Sequence, residues 1–346
     1  MIVRNESAVI SRALNSVKDF VDVWTIVDTG STDNTVEIIR NELQGIPGAL
    51  YERTWVNFGH NRNELLDLAA GTSDYLILLD ADIEVRIPED FDWATLTQDS
   101  YDVRVTGGLE YFFPYVVRND FGWRYVGATH EYLSAPPHSE VKTARLDNVE
   151  FRHHGDGGSK AEKFTRDLAL LETELAAHPD DPRTLFYLAQ TRQNLGDFSG
   201  AISAYRSRIE MGGWEEEVFW SMYQIAEIYR SLGDWSTALS GYLLAWDYRP
   251  VRVEPLVRAS MGLRELGAHQ TAFALLDRAK ATMDPTHERL FVESWMYEWA
   301  FDFEWAINAW WVGYKEEART IWNKLLERDD LPENYQSSIE SNLNLE

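Results

Sequence analysis

The chain has 346 residues, of which 45% are apolar and 26% charged, a composition typical of a globular protein with two domains. Its formal net charge of -25 opposes binding to nucleic-acid phosphates and to anionic membrane surfaces. It has no cysteine, which excludes disulfides, thiolate zinc sites and cysteine nucleophiles. Any metal must therefore be bound by carboxylates and imidazoles.

Hydropathy along the chain indicates neither a membrane span nor a signal peptide. No stretch approaches the ~20 consecutive apolar residues of a membrane helix. The chain starts MIVRNES, with charges where a signal peptide has its apolar region. We therefore expect a cytoplasmic protein that binds neither nucleic acid nor membrane.

The first part of the chain alternates between short apolar runs and helical periodicity. Strands are predicted at residues 1–3, 23–27, 49–55 and 75–79, and helices at 9–17, 36–43 and 61–70. Thr32 or Asp33 is the predicted N-cap of the second helix. This alternation predicts an α/β domain in which the first strands pair in parallel.

Between residues 102 and 151 the periodicity shortens to that of strands. The segments 111–118 and 123–127 flank an Asn-Asp-Phe-Gly turn, which predicts a β-hairpin. The second half of this domain is therefore expected to be more antiparallel than the first.

After residue 158 the sequence is helical and carries an internal repeat. In each unit a glycine is preceded seven residues earlier by a small residue and followed five residues later by alanine, with a bulky residue four further on. These spacings are typical of stacked helical hairpins close to the ~34-residue tetratricopeptide period, with an insertion before the last unit. The alternative is an unrelated helical bundle in which the glycines coincide. The four glycines are Gly196, Gly233, Gly267 and Gly313.

Asp28 directly follows the predicted strand at 23–27 and opens a polar turn at 29–35. Ligands of parallel α/β sheets bind beyond the carboxyl ends of the strands. A carboxylate in that place suits a ribose hydroxyl or a base N–H rather than a phosphate. Taken alone, Asp28 fits the role of a turn cap better.

Asp80 and Asp82 follow the apolar strand at 75–79. Strand periodicity places both on the same side, where two carboxylates either share a ligand or repel each other. A divalent cation is the usual shared ligand, and Mg²⁺ or Mn²⁺ bound in this way keeps positions for substrate phosphates. The Asp-x-Asp pattern is common, so the pair is a weak signal by itself.

His153 and His154 come before a glycine-rich turn at 155–158. Paired imidazoles can complete a metal shell, and the glycines let backbone N–H groups approach a diphosphate. The same residues also suit a polar hinge between domains. Glu131, which follows His130, offers a further carboxylate away from the Asp-x-Asp strand.

Four segments in this order resemble the successive motifs of family 2 glycosyltransferases with the GT-A fold: MIVRNE at 1–6, IVDTGSTDNT at 26–35, FGHNRN at 58–63 and LLDAD at 78–82. The repeats that follow resemble those of a group within this family that includes enzymes acting on peptides or proteins. The resemblance implies a Rossmann-like GT-A catalytic domain at 1–158 and an all-α helical solenoid of the tetratricopeptide type at 159–346.

Carried over position by position, the resemblance implies a nucleotide pocket, a metal site and a catalytic base. The metal ligands are Asp82 and His153, and His153 is preferred to His154 because it stands two residues before the glycine, as in the family pattern. Glu131 is the first choice for the base and Asp156 the second. At the position after Asp28, Thr29 stands where the family often has a second aspartate. The nucleotide-sugar residues are Arg4, Asn5, Glu6, Asp28, Arg62, Asp80 and Asp82.

The leading hypothesis is therefore Mn²⁺- or Mg²⁺-dependent transfer of a sugar from a nucleoside diphosphate sugar to a hydroxyl. The single displacement predicts inversion at the anomeric carbon. The repeats predict a protein or peptide acceptor and possible self-association as a homodimer. One alternative is a non-catalytic tetratricopeptide adaptor with a relic nucleotide-binding domain. A nucleotidyltransferase ranks last, because the segment at 4–7 lacks the glycine of a phosphate loop.

Overall fold

The computed structural model of the protein describes residues 1–107, 111–157 and 163–345. It divides into two compact units, Met1–Tyr187 and Leu188–Glu346. Gly158, where the first predicted domain ends, lies outside the described residues. The division between the two units falls later in the chain than the predicted domain border. That border stays a prediction. The predicted class, an α/β region followed by an all-α array, is confirmed.

A parallel three-stranded sheet opens the first unit. Its order is β1 (Ile2–Val3), β2 (Trp24–Asp28) and β3 (Gly48–Glu52). Between the strands run α1 (Ile10–Val17) and α2 (Thr35–Glu42), and α3 (Phe58–Ala69) follows β3. α1 buries the apolar positions whose spacing predicted it: Ile10, Ala13, Leu14 and Val17.

The cap predicted for α2 is wrong. Asn34 occupies the N-cap position, and its side chain makes no capping hydrogen bond. Asp33 lies one residue earlier and accepts from two backbone N–H groups, those of Thr35 at 3.0 Å and Ser7 at 3.1 Å. Its carboxylate therefore joins two loops, which a local capping pattern does not predict.

A second, mixed sheet has the strand order β4 (Tyr75–Ile77), β7 (Tyr111–Arg118), β6 (Ser100–Thr106), β10 (Thr143–His153) and β5 (Ile83–Arg86). β10 pairs with β6 in parallel, and the other pairs are antiparallel. β8 (Arg124–Val126) and β9 (Tyr132–Ser134) form a separate antiparallel pair, and a short 3₁₀ helix spans Trp93–Thr95.

The hairpin predicted at 111–127 is wrong. β7 pairs with β4 and β6, whereas β8 pairs with β9. The strand predicted at 75–79 is also shorter, since β4 ends at Ile77. β7 has different pairing partners from those that the local sequence suggests, and β4 ends earlier than the local sequence suggests. The core of this region lies between the second sheet and α1 and includes Val103, Val116 and Phe151, all fully buried.

α4 (Lys163–Ala177) and the first residues of α5 (Pro182–Asn194) belong to the first unit. Arg166 on α4 lies with its guanidinium 5.2 Å from the ring centre of Phe58 on α3. Arg183 on α5 donates to the carbonyl oxygen of His130. These contacts explain why the first unit extends beyond residue 158.

The second unit is a series of helices in which each contacts the next, as in an array of hairpins. At the predicted turns the glycines have positive φ, 79° at Gly233 for example. The alanine and the bulky residue of each unit are buried, as Ala238 and Tyr242 are. No helix among the described residues has the length and apolar character needed to span a bilayer. The helices are α6 (Phe198–Met211), α7 (Glu215–Ser231), α8 (Trp235–Tyr248), α9 (Glu254–Glu265), α10 (His269–Lys280), a π-helical turn (Met296–Ala300), α11 (Phe301–Trp311), α12 (Lys315–Leu326) and α13 (Glu333–Leu343).

Candidate active site

Two loops meet beyond the carboxyl ends of β1 and β2. Asn5 has a φ of 56°, and its side-chain oxygen accepts from the Thr32 N–H at 2.7 Å. The N–H of Glu6 donates to the Thr35 hydroxyl at 2.8 Å. The structure thus brings Asn5 and Glu6 to the same sheet edge as Asp28, and Arg4 is exposed beside them.

Asp28 acts as the cap of its own turn. Its carboxylate accepts from the N–H groups of Gly30 at 3.2 Å and Ser31 at 3.1 Å, and from the Ser31 hydroxyl at 2.5 Å. The residue is only 4% exposed. The geometry therefore supports the turn-cap interpretation directly, and contact of Asp28 with a base or ribose stays a prediction.

The guanidinium of Arg62 on α3 bridges two carboxylates. Its Nη2 donates to Asp80 Oδ1 at 2.6 Å, and its Nε donates to Glu131 Oε1 at 2.5 Å. These partners stand 18 and 69 residues away in sequence. The sequence singled out all three residues separately, and the fold brings them together in one cluster.

Glu131 combines burial with a cationic neighbour. Its side chain is 10% exposed. Burial raises the pKa of the Glu131 carboxyl, and Arg62 lowers it by a smaller amount, so the net direction is upward. A carboxyl whose pKa is raised towards neutrality binds a proton more readily when ionised, which is the property a general base needs.

Arg62, Asp80 and Glu131 all line a cavity of about 400 Å³. Sequence reasoning missed the aromatic residues of its wall. Tyr111, Phe113 and Tyr115 alternate along β7 and so share one face, a signal that was present in the sequence. The remaining lining residues are Phe58, Leu78, Tyr125, Thr129, His130, Arg166, Asp167, Arg183 and Tyr187.

His130, the residue before Glu131, is held by α5. Its φ is 52°, in the left-handed region that non-glycine residues rarely occupy. Its ring stacks on Tyr187 with centroids 4.1 Å apart and planes within 2°. Arg183 donates to the His130 carbonyl oxygen through Nη2 at 3.3 Å and Nε at 3.4 Å. No motif in the sequence indicated that α5 reaches this loop.

The structure places the two histidines on different carboxylates. His153 Nε2 lies 3.1 Å from Asp82 Oδ2, and His154 Nε2 lies 2.9 Å from Glu84 Oε2. Burial raises the pKa of Asp82, but the hydrogen bond and charge of His153 outweigh it and hold that pKa below its usual range. His153, rather than His154, is therefore the imidazole that shares a site with Asp82.

The Asp82 and His153 pair has the spacing of two metal ligands. Neighbouring ligands of an octahedral cation with bonds of ~2.1 Å lie ~3.0 Å apart, and the observed 3.1 Å fits this. Within residues 1–107, 111–157 and 163–345, no group of three or more His, Asp or Glu side chains is arranged to hold a metal. The pair could therefore supply two ligands of a cation, the others coming from substrate and water, and metal binding by Asp82 and His153 stays a prediction.

Because Gly157 has no side chain, the carboxylate of Glu6 can lie close to the Asp82 and His153 pair. A Cβ built on Gly157 would lie 2.9 Å from the Cβ of Asp82 and 3.1 Å from Oε2 of Glu6. Any larger residue would push these two side chains aside. The glycine-rich turn thus allows the backbone to approach Asp82 closely.

Asp156, the second candidate base, is engaged elsewhere. Its Oδ1 accepts from Arg12 Nη2 at 2.6 Å, and its Oδ2 accepts from Arg12 Nη1 at 2.9 Å. The hydrogen bonds to Arg12 hold the pKa of Asp156 below its usual range. It is not among the residues that line the cavity, so the geometry favours Glu131.

A model of the family described as glycosyl transferase family 2 matches residues 1–90. Residues 1–90 thus match a family 2 glycosyltransferase domain. This confirms the resemblance carried by the four motifs. The matched residues include β1, α3 with Arg62, the Asp-x-Asp pair and β5.

Two curated relatives match a larger part of the chain. The SPbeta prophage-derived glycosyltransferase SunS of Bacillus subtilis is 27% identical over 223 residues, which is 60% of this chain and 52% of the relative. A TPR repeat-containing protein of Synechococcus elongatus is 29% identical over 255 residues, 66% of this chain and 60% of the relative. The chain therefore spans about half to three fifths of the length of these relatives.

Solved structures of TPR proteins also align with the chain. A thermophilic TPR protein from Thermus thermophilus covers 53% of this chain and 92% of its own, with 21% identity and a TM-score of 0.35.

Proposed function

We propose that the chain is a metal-dependent glycosyltransferase. It transfers a sugar from a nucleoside diphosphate sugar to an acceptor hydroxyl, with inversion. The observation that carries this proposal is the Arg62 bridge, which holds Asp80 and the buried Glu131 in one cavity. The family 2 match supplies the reaction class, and the bridge supplies a base with a defined position.

Glu131 takes the proton of the acceptor hydroxyl. As that proton leaves, the acceptor oxygen forms a bond to the anomeric carbon, and the bond from this carbon to the diphosphate oxygen breaks. Arg62 keeps the Glu131 carboxylate ionised before the reaction and fixes its direction through a charge-assisted hydrogen bond. One base acting on one displacement produces inversion.

We expect the donor to bind in the space between the cavity and the two loops at 4–7 and 29–35. Asp80 faces the sugar or ribose, and Asn5, Glu6 and Asp28 lie at the nucleotide end. Asp82 and His153 would hold Mn²⁺ or Mg²⁺, which when bound neutralises charge that develops on the leaving diphosphate. Asp82 directly precedes β5 and His153 ends β10, and these two strands pair with each other.

The acceptor is proposed to be a protein or peptide. A cavity walled by aromatic rings suits a sugar and one acceptor side chain rather than a long ligand. The helical array provides further surface for polypeptide binding and for self-association as a homodimer. We place this activity in the cytoplasm.

The proposal is tested with purified protein, Mn²⁺ and a panel of UDP-, GDP- and dTDP-sugars, with donor hydrolysis and intact mass of co-expressed candidate acceptors as readouts. Glu131→Gln is expected to lower kcat about 10²- to 10⁴-fold, because general-base catalysis contributes that range. Asp156→Asn is the matched control and should retain activity, since Asp156 pairs with Arg12 on the surface.

Two outcomes would contradict the proposal. If no donor is bound or hydrolysed, the adaptor hypothesis takes its place, and titration calorimetry for metal-dependent nucleotide binding separates the two. If Asp156→Asn rather than Glu131→Gln abolishes turnover while donor binding persists, the assignment of the base is wrong.

A further inference from the structure

The segment 281–295 joins α10 to the π-helical turn and lies against α7 and α9, the first helices of two consecutive hairpins. It corresponds to the insertion expected before the last repeat. It is anchored at its start, where the Thr282 hydroxyl donates to the Pro250 carbonyl at 2.9 Å and the Asp284 N–H donates to the Val251 carbonyl at 3.1 Å. Beyond this anchor the chain is neither helix nor strand through Glu293.

Side chains of the helical array form hydrogen bonds with both the N–H groups and the C=O groups of this segment. Glu216 Oε2, in the first turn of α7, accepts from the N–H groups of Arg289 and Leu290, each at 2.7 Å. Arg252, just before α9, donates to the carbonyl oxygens of Leu290 and Phe291, each at 3.1 Å. Side chains that hold both N–H and C=O groups are how a protein binds an irregular peptide segment.

Two side chains of the segment are also recognised. The carboxylate of Glu293 accepts from the Tyr223 hydroxyl at 2.6 Å and from Arg258 Nη2 at 3.1 Å. The Phe291 ring lies 5.1 Å from that of Trp220, with the planes tilted by 55°. The face formed by α7 and α9 therefore contacts an aromatic ring and, two residues later, a carboxylate.

The residues that bind the main chain of this segment are charged, although they are buried. Arg252 and Glu254 are both 0% exposed and form an ion pair at 2.8 Å, and Glu216 is 6% exposed. Buried ion pairs rarely add stability over apolar packing, because desolvation cancels the attraction. A helical array with no need to bind an irregular chain would be as stable with apolar residues here. Here Glu216 and Arg252 satisfy the main-chain N–H and C=O groups of residues 289–291, so the segment is held by charge-assisted hydrogen bonds.

From these contacts we propose that the face of α7 and α9 is a peptide-binding site, and that residues 289–293 occupy it as an intramolecular ligand. The external ligand is a peptide that adopts the same irregular backbone, in which Phe291 has a φ of 48°, and that carries an aromatic residue followed two positions later by a carboxylate. Such a peptide would compete with a tethered segment whose effective concentration is of millimolar order. The site is thus closed in the isolated chain and opens only to a peptide of matching chemistry.

This proposal does not depend on sugar transfer, and its experiment measures no turnover. The probe is a fluorescent peptide with the sequence of residues 288–294, ERLFVES. Its binding to the full chain is followed by anisotropy. In the variant F291A/E293A the internal ligand loses its two recognised side chains, and this variant is expected to bind the probe at least tenfold more tightly than the unchanged chain does.

Controls define the recognition. A probe with glutamine at the position of Glu293 should bind the F291A/E293A variant more weakly, because Arg258 and Tyr223 lose their carboxylate. Arg258→Ala added to that variant should remove the difference between the two probes. A variant that keeps its melting transition but does not bind the probe overturns the proposal.

Hydrogen exchange on the unchanged chain is a second test of the proposal, and it does not require the variant to fold. The amides of Arg289 and Leu290 should exchange faster when the probe is present at millimolar concentration, since the probe displaces them from Glu216. If these amides exchange only on global unfolding and the probe has no effect, the segment is a fixed structural element and the proposal is wrong.

Discussion

At the scale of single residues, the site depends on one arginine that serves two acids. Arg62 places its guanidinium between Asp80 and Glu131, and its side chain is 14% exposed. Without it, two carboxylates would share a partly buried cavity with no cation between them. The charge of Asp80 raises the pKa of Glu131, because like charges disfavour the ionisation of one another. Arg62 therefore fixes the position of Glu131 and opposes the rise in its pKa that burial causes.

We expect Arg62→Ala to move the acidic limb of the pH dependence of kcat/KM to higher pH. Glu131 must be ionised to act, and activity falls as the pH drops through its pKa. Because Arg62 lowers that pKa against the effect of burial, its removal raises the pKa further, so half-maximal activity comes at higher pH. Arg62→Lys keeps the charge but not the two-pronged donation and should give a smaller shift. An unchanged profile would show that Glu131 is not the titrating group.

The neighbouring histidines supply a matched pair of variants for the metal site. His153→Ala is expected to weaken Mn²⁺ binding at least ~10-fold, since it removes one of two protein ligands. His154→Ala changes the next residue in the chain but removes only the contact with Glu84, so Mn²⁺ affinity should stay close to normal. Calorimetry or electron paramagnetic resonance measures both. Equal losses in the two variants would mean that neither imidazole is a specific ligand.

At the scale of elements, the sequence predicted what local periodicity controls. α1 forms where apolar residues recur at helical spacing, and the repeat glycines do end helices. The hairpin at 111–127 was wrong because strand pairing is decided by distant partners: β7 has β4 on one side and β6 on the other. The contact of α5 with the loop at 130–131 is likewise non-local, and no local pattern predicts it.

The role of α5 can be tested with one aromatic residue. Tyr187→Ala removes the ring on which His130 stacks, so the left-handed backbone before Glu131 loses support, and kcat is expected to fall about tenfold with little change in the donor KM. Tyr187→Phe keeps the ring and should restore kcat, which identifies Tyr187 as a positioning residue. A change confined to KM in both variants would instead assign it to substrate binding.

At the scale of the whole molecule, the net charge of -25 opposes the approach of an anionic donor. Arg62 does not reverse this locally, since it is paired with two carboxylates. Under the proposed function, the charge of a diphosphate donor would have to be neutralised by a divalent cation and by the few arginines near the cavity, such as Arg166 and Arg183.

This balance predicts an unusual sign for the effect of salt. At saturating Mn²⁺, raising the ionic strength from low to physiological values should increase kcat/KM for the donor a few-fold, because screening weakens long-range repulsion. Enzymes that steer anionic substrates by positive charge show the reverse. A decrease with salt, measured in initial rates, would mean that the arginines around the cavity outweigh the net charge.

Helix α5 has a consequence for how such proteins can be recombined. The division between the two units falls inside it, after Tyr187. Exchanging the repeats of two related chains at residue 158 would discard Arg183 and Tyr187 together with the array, and the catalytic half would lose its hold on His130. Exchange after Asn194 would retain both. A chimera that is to keep the His130 loop in place therefore needs a segment longer than the sequence motifs, with helix α5 included.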